Sequence, residues 1–274
     1  MAVGIFGKKE TIMNVLNSFS LKGKVALVTG GAGLYGRQIV AALAEGEAET
    51  YIASRGVKAL EKVAQEERDA GNNVTALKLD LSDETSIKQL HDEIIKRSGR
   101  LDILVNNAVT RSACDGWDHP LEDFDKSLHI NASALFKISQ LFAEDMKKQQ
   151  SGSIINVGSM MGMVGIEMSN YDGTDMNPNP SPIYFYEKGG MLNFTRWAAS
   201  ILGPYNVRVN CISPGGYQTP NQPEAFVQQY STRTQLGRMA NDTDLKGIIV
   251  FLGSDASAYI TGTNIPVDGG YTAK

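Results

Sequence analysis

The sequence predicts an α/β fold: a doubly wound, mostly parallel sheet of about seven strands with helices on both faces. The first observation is that seven short apolar runs alternate with longer segments of helical periodicity. The second is that most of these runs lack the polar alternation of a half-exposed strand, as is typical of parallel strands covered on both faces. The length of 274 residues fits one domain of this class.

The alternation of elements begins near residue 22 and continues to the end of the chain. The predicted strands are Val25–Val28, Thr50–Ala53, Val74–Leu79, Ile103–Val105, Ser153–Val157, Arg208–Ile212 and Asn264–Val267. The predicted helices are Arg37–Ala44, Val57–Ala70, Thr85–Arg97, Leu121–Lys148, Tyr184–Leu202 and Asp242–Leu252. Strand–helix–strand repetition requires right-handed crossovers, which place helices on both sides of the sheet.

The first twenty residues stand apart from this pattern. Ile12, Val15, Leu16 and Phe19 follow the spacing of one apolar helix face, which predicts a short helix packed against the body or a neighbouring subunit. We therefore divide the chain into an N-terminal extension, residues 1–20, and a single domain, residues 21–274.

Composition excludes several function classes. With 26 basic and 30 acidic residues the net charge is −4, which argues against a nucleic-acid surface. Cys114 and Cys211 form no disulfide framework, and together with the three histidines they show no metal-ligand spacing, so we expect no metal site and a reduced, cytoplasmic location. No segment is long and apolar enough to span a membrane, and no signal peptide is recognisable.

A glycine pattern follows the first predicted strand. Gly31-x-Gly33-x-x-Gly36 lies directly after the strand and before a helix, the context that a dinucleotide-binding turn requires. The glycines allow a tight turn and a close approach of a pyrophosphate, and the helix N-terminus supplies free N–H groups.

The second strand bears on the type of dinucleotide. An NAD site usually has an acidic residue there, but this strand ends in Ser54-Arg55, and a guanidinium suits the 2′-phosphate of NADP. NADP is therefore favoured and NAD remains possible; the alternative interpretation is a surface arginine that caps a loop. Asp80, after the third strand, either accepts from an adenine amino group or caps the next helix, a role that Ser82 or Asp83 could fill equally.

Candidate catalytic residues follow from spacing and position. Tyr184 and Lys188 lie four residues apart, so they share a helix face, and an ammonium beside a phenol lowers its pKa. The alternative is an exposed helix pair without catalytic function. Ser159 follows a buried strand, where ligands bind in open α/β sheets, although it could be only a turn serine. Asn131 lies inside the long helical pattern Leu121–Lys148, where asparagine is an indifferent helix former.

Together these residues resemble the short-chain dehydrogenase/reductase family in its single-domain, Rossmann-like branch. The similarity runs from about Phe19 to Thr272 and includes five ordered motifs. They are the turn Thr29–Gly36, Asn106-Asn107-Ala108, the tetrad Asn131, Ser159, Tyr184 and Lys188, Ser213-Pro214-Gly215 with Thr219, and the C-terminal segments Ile260–Gly262 and Val267–Gly270.

The resemblance implies a set of cofactor contacts and catalytic roles. The implied cofactor-binding residues are Thr29, Gly30, Gly31, Gly33, Leu34, Tyr35, Gly36, Ser54, Arg55, Asp80, Leu81, Asn107, Ala108, Tyr184, Lys188, Pro214, Gly215, Tyr217 and Thr219. Tyr184 would exchange a proton with the substrate oxygen, Lys188 would lower its pKa and hold the nicotinamide ribose, and Ser159 would orient the substrate. Asn131 would bind a relay water.

Three departures from the family pattern affect the site. Leu34 stands where the family has glycine, and Val109 replaces the glycine after Asn-Asn-Ala. The gap between Ser159 and Tyr184 is longer than usual, and its Asp-, Asn- and Pro-rich segment suggests a polyhydroxylated or acidic substrate. Tyr171–Thr174 and Gly189–Met191 resemble sugar-acid dehydrogenases of the gluconate 5-dehydrogenase type.

The expected reaction is hydride transfer between a nicotinamide cofactor and a secondary alcohol or ketone, such as a sugar, sugar acid or polyol. One alternative is a non-catalytic redox sensor of the same fold, against which the intact Tyr184 and Lys188 pair argues. A sugar-nucleotide epimerase ranks last because it would need a larger C-terminal domain. The resemblance also implies a homotetramer or homodimer, with Phe136, Leu141, Phe142, Phe194 and Trp197 as contact candidates or core residues.

Overall fold

The computed structural model describes residues 14–111, 116–177 and 181–273. Within these ranges a single parallel sheet has seven strands, in the order β3-β2-β1-β4-β5-β6-β7. The strands are β1 Val25–Thr29, β2 Glu49–Ser54, β3 Val74–Lys78, β4 Ile103–Asn106, β5 Gly152–Val157, β6 Val207–Pro214 and β7 Asn264–Val267. The predicted single-domain, doubly wound architecture is confirmed.

Eight α-helices connect the strands in the described ranges. They are α1 Leu34–Glu45, α2 Val57–Asp69, α3 Glu84–Ser98, α4 Leu121–Leu128, α5 Ala134–Gln149, α6 Pro182–Leu202, α7 Glu224–Ser231 and α8 Lys246–Gly253. Among the described residues, no helix combines the length and the apolar character that crossing a membrane would demand.

Two apolar layers hold the sheet between the helices. On one face, α1, α2 and α8 contribute Ile39, Leu60 and Ile249 to the core. On the other face, the layer contains Leu90 of α3 and Phe142 of α5. All five residues of β1 are buried, because β1 lies inside the sheet with helices on both sides.

The helix predicted over Leu121–Lys148 is interrupted. It is divided into α4 and α5 by a π-helical turn, His129–Ser133, which contains Asn131. The amide of Asn131 exchanges hydrogen bonds with the backbone of Thr110, at 2.8 Å in each direction. A side chain pulled toward another segment in this way accounts for the local widening of the helix.

The described part of the N-terminal extension begins at Asn14 and contains a 3₁₀ turn, Asn17–Phe19. Ile12, which belongs to the predicted apolar face, lies outside the described residues. Val15 and Leu16 are exposed to 68% and 77%, whereas the Phe19 ring lies 6.0 Å from that of Phe251 in α8. Only the end of the extension therefore packs on the body within the described range.

The order of the strands places the binding region. The chain leaves β1 toward β2 on one side and reaches β4 on the other, so the connections diverge at the carboxyl end of β1. In open α/β sheets ligands bind in the crevice at such a switch point.

Candidate active site

A cavity of about 990 Å³ opens at the carboxyl ends of the strands. Most of the residues predicted to bind cofactor or substrate line it. They are Gly30, Gly33, Leu34, Tyr35, Gly36, Ser54, Arg55, Asp80, Leu81, Asn107, Ala108, Ser159, Tyr184, Lys188, Pro214, Gly215, Tyr217 and Thr219. Residues from both halves of the chain thus meet in one crevice.

The glycine turn after β1 fits a dinucleotide. Gly30 has a φ of +72°, and a Cβ on Gly36 would lie 2.2 Å from the carbonyl oxygen of Gly30, so neither position tolerates another residue without a shift. Gly33 is the N-cap of α1, which directs the free N–H groups of its first turn toward the cavity. The backbone is therefore open to a close approach by phosphate.

Thr29 and Gly31, also predicted as cofactor contacts, do not line the cavity. The Thr29 hydroxyl oxygen accepts from the backbone N–H groups of Asn107 and Ala108, at 3.1 and 3.0 Å. The Asn107 amide in turn donates to the carbonyl oxygens of Thr29 and Gly30, at 2.9 and 3.0 Å. These hydrogen bonds hold the segment after β1 against the segment after β4. Thr29 therefore stabilises the glycine turn without lining the cavity.

The adenosine end of the crevice lies at the ends of β2 and β3. Arg55 is exposed at the cavity edge, whereas Arg37 of α1 lies outside the cavity lining and is paired with Glu66. Asp80 accepts from the hydroxyl and N–H of Ser82, and these hydrogen bonds lower the pKa of its carboxyl group. The helix-cap alternative for Asp80 does not apply, because Asp83 caps α3 by accepting from Thr85 N at 2.8 Å.

Tyr184 and Lys188 lie on the same face of α6, as their spacing predicts. The Lys188 ammonium is 5.7 Å from the centre of the Tyr184 ring and donates to the carbonyl oxygen of Val157 at 2.7 Å. Burial lowers the pKa of Lys188, while Tyr184, Cys211 and Glu187 oppose this shift. The guanidinium carbon of Arg111 also lies over the Tyr184 ring, 5.4 Å from its centre.

Ser159 and Asn131 are positioned differently from each other. Ser159 is buried at the cavity wall, and its hydroxyl oxygen accepts from Met161 N at 3.1 Å, so the hydroxyl hydrogen can point to a ligand. Asn131 does not line the cavity. Its amide oxygen accepts from Thr110, and its nitrogen contacts Thr110, Ser127 and Glu187, so its side chain is fully engaged with protein groups.

The substrate end of the cavity is largely apolar. Met160, Phe226, Tyr230 and Met239 form a buried cluster there. The described residues of the segment 160–182 border the cavity as expected, for example Met161 and Ile166, but its acidic residues, including Asp172, are exposed to solvent. The carboxylates of this segment therefore do not form the cavity wall, whereas its Asn170 does.

Several polar groups of the site were not singled out from the sequence. Asn170 is 2% exposed and lines the cavity, and its Oδ1 accepts no hydrogen bond from the described residues. Glu187, buried beside Lys188, and Arg111, over the Tyr184 ring, also line it. The position of Glu187 inside the Tyr-x-x-x-Lys motif was a usable signal, whereas those of Arg111 and Asn170 depend on loops. No cluster of metal-binding side chains occurs in the described ranges.

The doubly wound sheet, the glycine turn and the Tyr184–Lys188 pair in one crevice define an NAD(P)-dependent oxidoreductase. A family model described as enoyl-(acyl carrier protein) reductase matches residues 33–272. The chain belongs to the short-chain dehydrogenase/reductase family, whose named relatives are dehydrogenases and reductases acting on CH–OH groups.

Three curated relatives illustrate the range of activities. A 3-oxoacyl-[acyl-carrier-protein] reductase of Thermotoga maritima is 32% identical over 91% of this chain and 98% of its own length. A cyclopentanol dehydrogenase of a Comamonas species is 32% identical, covering 92% and 98%. A 2-dehydro-3-deoxy-D-gluconate 5-dehydrogenase of Dickeya dadantii is 31% identical, covering 95% and 100%.

Solved structures agree with this fold and carry both dinucleotides. A short-chain type dehydrogenase/reductase from Mycobacterium marinum superimposes with a TM-score of 0.84 at 31% identity, covering 96% of this chain and 100% of its own. A gluconate 5-dehydrogenase from Burkholderia cenocepacia, in complex with NADP and tartrate, gives 0.83 at 27%, covering 95% and 100%. An NAD⁺-bound xylitol dehydrogenase gives 0.82 at 29%, covering 91% and 99%.

Proposed function

We propose that this chain transfers a hydride between NADP and a secondary alcohol or ketone, with Tyr184 as the acid/base. The observation that carries the proposal is that Tyr184 and Lys188 share one face of α6 inside the crevice that holds the glycine turn and Arg55. When bound, the nicotinamide supplies the hydride chemistry, and the protein supplies orientation and electrostatics.

Tyr184 exchanges the proton of the substrate oxygen in this proposal. In oxidation its phenolate accepts the hydroxyl proton, and in reduction the phenol returns it to the alkoxide. Lys188 holds a positive charge 5.7 Å from the ring centre, which favours the phenolate. Lys188 also binds the nicotinamide ribose in this proposal, because Lys188, like Tyr184, lies at the cavity wall.

Ser159 and Asn131 have supporting roles. Ser159 donates its free hydroxyl hydrogen to the reacting oxygen and so orients the substrate toward Tyr184. The relay water proposed for Asn131 would be bound by its main chain, because its side chain is engaged with Thr110, Ser127 and Glu187.

Replacing Tyr184 with phenylalanine tests the assignment. The ring and its packing are kept and the proton is lost, so we expect turnover to fall by roughly 10²–10⁴-fold with cofactor affinity nearly unchanged. The measurement is absorbance of the reduced nicotinamide for a panel of sugar acids, polyols and ketones. Activity retained by Tyr184→Phe would falsify the assignment, and tight cofactor binding without turnover in the unmodified protein would favour a redox sensor.

A sugar acid is the substrate class that the polar groups favour. Arg111 offers a guanidinium beside Tyr184 for a carboxylate. The buried Asn170, whose Oδ1 accepts no hydrogen bond within the described ranges, can accept from a hydroxyl. The relative that acts on a deoxygluconate and the gluconate 5-dehydrogenase structure support this class for our chain.

An apolar cyclic or acyl alcohol is the second candidate. The cluster of Met160, Phe226, Tyr230 and Met239 favours it, because such a wall desolvates an apolar substituent. Comparing kcat/KM for gluconate and for cyclopentanol with the same enzyme decides between the two classes.

NADP preference is proposed on Ser54 and Arg55. Arg55 is exposed at the cavity edge, where it can pair with a 2′-phosphate, and no carboxylate directly follows β2 to bind ribose hydroxyls. Asp80, at the end of β3, keeps its proposed contact with adenine.

A cytoplasmic homotetramer or homodimer also remains a proposal. Among the candidate contacts, Phe142 is buried in the core, but Phe136 and Trp197 are 42% and 51% exposed on neighbouring helices, with ring centres 6.3 Å apart. An exposed aromatic patch of this kind favours a subunit contact. Light scattering of the purified protein tests it, and a monomer would overturn it.

A further inference from the structure

Glu187 is a buried carboxylate at the centre of the site, immediately before Lys188 in α6. It is 7% exposed and lies at the cavity wall. One oxygen accepts from the Ser127 hydroxyl at 2.8 Å, and the other accepts from Asn131 Nδ2 at 2.9 Å. Both partners belong to α4 and the π turn, so the carboxylate connects α6 to the interrupted helix.

The connection continues through Asn131 to the loop after β4. The Asn131 amide bonds both the N–H and the carbonyl of Thr110, and Arg111 follows with its guanidinium over the Tyr184 ring. A chain of contacts thus runs from Glu187 through Asn131 and Thr110 back to Tyr184. Such a closed network keeps the catalytic face of α6 in register with the opposite wall.

Glu187 also acts on Lys188 through its charge. Lys188 is 5% exposed, and burying an ammonium is costly unless a negative charge compensates it. The groups that act on it are, in decreasing order, Tyr184 of α6, Cys211 of β6, Glu187 of α6 and Arg111 of the loop after β4. Burial raises the pKa of Cys211 to about 11, so this thiol is neutral at physiological pH, and Arg111 is itself positive. Glu187 is the one carboxylate among these four groups, so it is the residue that can compensate the charge of the buried ammonium.

We propose that Glu187 is a positioning residue of the hydride-transfer site, whose carboxylate keeps Lys188 in its ammonium form and holds Asn131 against the loop after β4. The proposal rests on the roles proposed for Tyr184 and Lys188. Burial raises the pKa of Glu187, while hydrogen bonds from Ser127 and Asn131 and the charge of Lys188 lower it. Glu187 acts on Lys188 and Asn131 at every pH at which its carboxylate is ionised. This effect is lost when the carboxylate is protonated in acid.

The test is the pH profile of kcat/KM for alcohol oxidation in Glu187→Gln. Glutamine keeps the shape and one of the two acceptor oxygens but not the charge, so Lys188 loses its proton more easily. The alkaline limb is the part of the profile in which activity falls as Lys188 loses its proton. We expect this limb to move about one pH unit lower, so that activity at pH values above it is reduced roughly tenfold. Ser127→Ala is the matched control: it removes one hydrogen bond and keeps the carboxylate, so its limb stays in place.

A second variant covers the case in which Glu187→Gln does not fold. Glu187→Ala opens a space at the cavity wall, and added formate is expected to restore the alkaline limb by returning a carboxylate. An unchanged limb in a folded Glu187→Gln, an equal shift in Ser127→Ala, or no rescue by formate overturns the proposal. Failure of the underlying mechanism is distinguishable, since then Tyr184→Phe retains activity whatever the behaviour of Glu187.

Discussion

The phenol of Tyr35 in α1 donates a hydrogen bond of 2.8 Å to the carbonyl oxygen of Gly215, which lies 180 positions later in the sequence. The Tyr35 ring also meets Tyr217 edge-on, with centres 5.5 Å apart. Burial raises the pKa of Tyr35, so the phenol stays protonated and remains a donor at neutral pH. The loop after β6 is thereby attached to the first turn of the cofactor-binding helix.

Removing that hydroxyl is expected to loosen the loop over the cofactor. For Tyr35→Phe we expect KM for the dinucleotide to rise about fivefold, the value of a hydrogen bond worth about 1 kcal/mol, with a smaller change in kcat. Steady-state kinetics and hydrogen exchange of residues 215–222 measure it. Tyr259→Phe, at a fully exposed tyrosine, is the control, and equal KM values in the two variants would contradict the prediction.

Arg55→Asp is expected to reverse the dinucleotide preference. The substitution removes the partner of a 2′-phosphate and introduces an acceptor for ribose hydroxyls, so the ratio of kcat/KM for NADP over NAD falls roughly ten- to a hundredfold. Lys58→Asp makes the same charge change on the exposed surface of α2 and lies outside the cavity lining. A ratio that stays constant in Arg55→Asp, or falls as far in Lys58→Asp, shows that Arg55 does not select the cofactor.

Arg111→Gln separates acidic from neutral substrates. If the guanidinium binds a carboxylate, KM for a sugar acid rises roughly tenfold or more while KM for a neutral polyol changes little. The acid-to-neutral ratio is the quantity to compare, because Arg111 also lies over the catalytic ring. Arg196→Gln, exposed on α6 away from the cavity lining, supplies the control. Equal effects on both substrate types would remove Arg111 from substrate recognition.

Asp244 is expected to contribute to stability above acidic pH. Hydrogen bonds from Arg238, at 2.6 and 2.8 Å, are the main cause of the lowered pKa of its carboxyl group. Because the folded-state pKa lies below the unfolded value of about 3.9, this stabilisation is complete at neutral pH and is lost as the pH falls through the folded-state pKa.

The measurement is the thermal unfolding midpoint of Asp244→Asn against pH. We expect the substitution to lower the free energy of unfolding by up to about 1 kcal/mol at pH 7, as suits a partly exposed pair. This deficit shrinks toward zero in strong acid. Asp242→Asn, at a neighbouring exposed carboxylate, should leave the midpoint unchanged. A deficit that is equally large at pH 2 would assign the effect to packing.

The strands and the catalytic pair were predictable because their signals are local. Strands covered on both faces are continuous apolar runs, and Tyr184 and Lys188 need only a helix to lie together. The break at Asn131 was not predictable, since its cause is Thr110, 21 residues earlier. Glu187 lies inside the Tyr-x-x-x-Lys motif, which was a usable signal, but a glutamate on a helix is ordinarily solvated. Its contact with Ser127, 60 positions away, could not be read from the sequence.

The bonds between Thr29 and Asn107 have a consequence for biosynthesis. The turn after β1 takes its final shape only when the segment after β4, 78 positions later, donates to it. A nascent chain that ends before β4 has an uncovered edge on β1, which becomes an interior strand only after β4 pairs with it. Chaperone protection during translation is therefore expected to matter most until about the first 110 residues have left the ribosome.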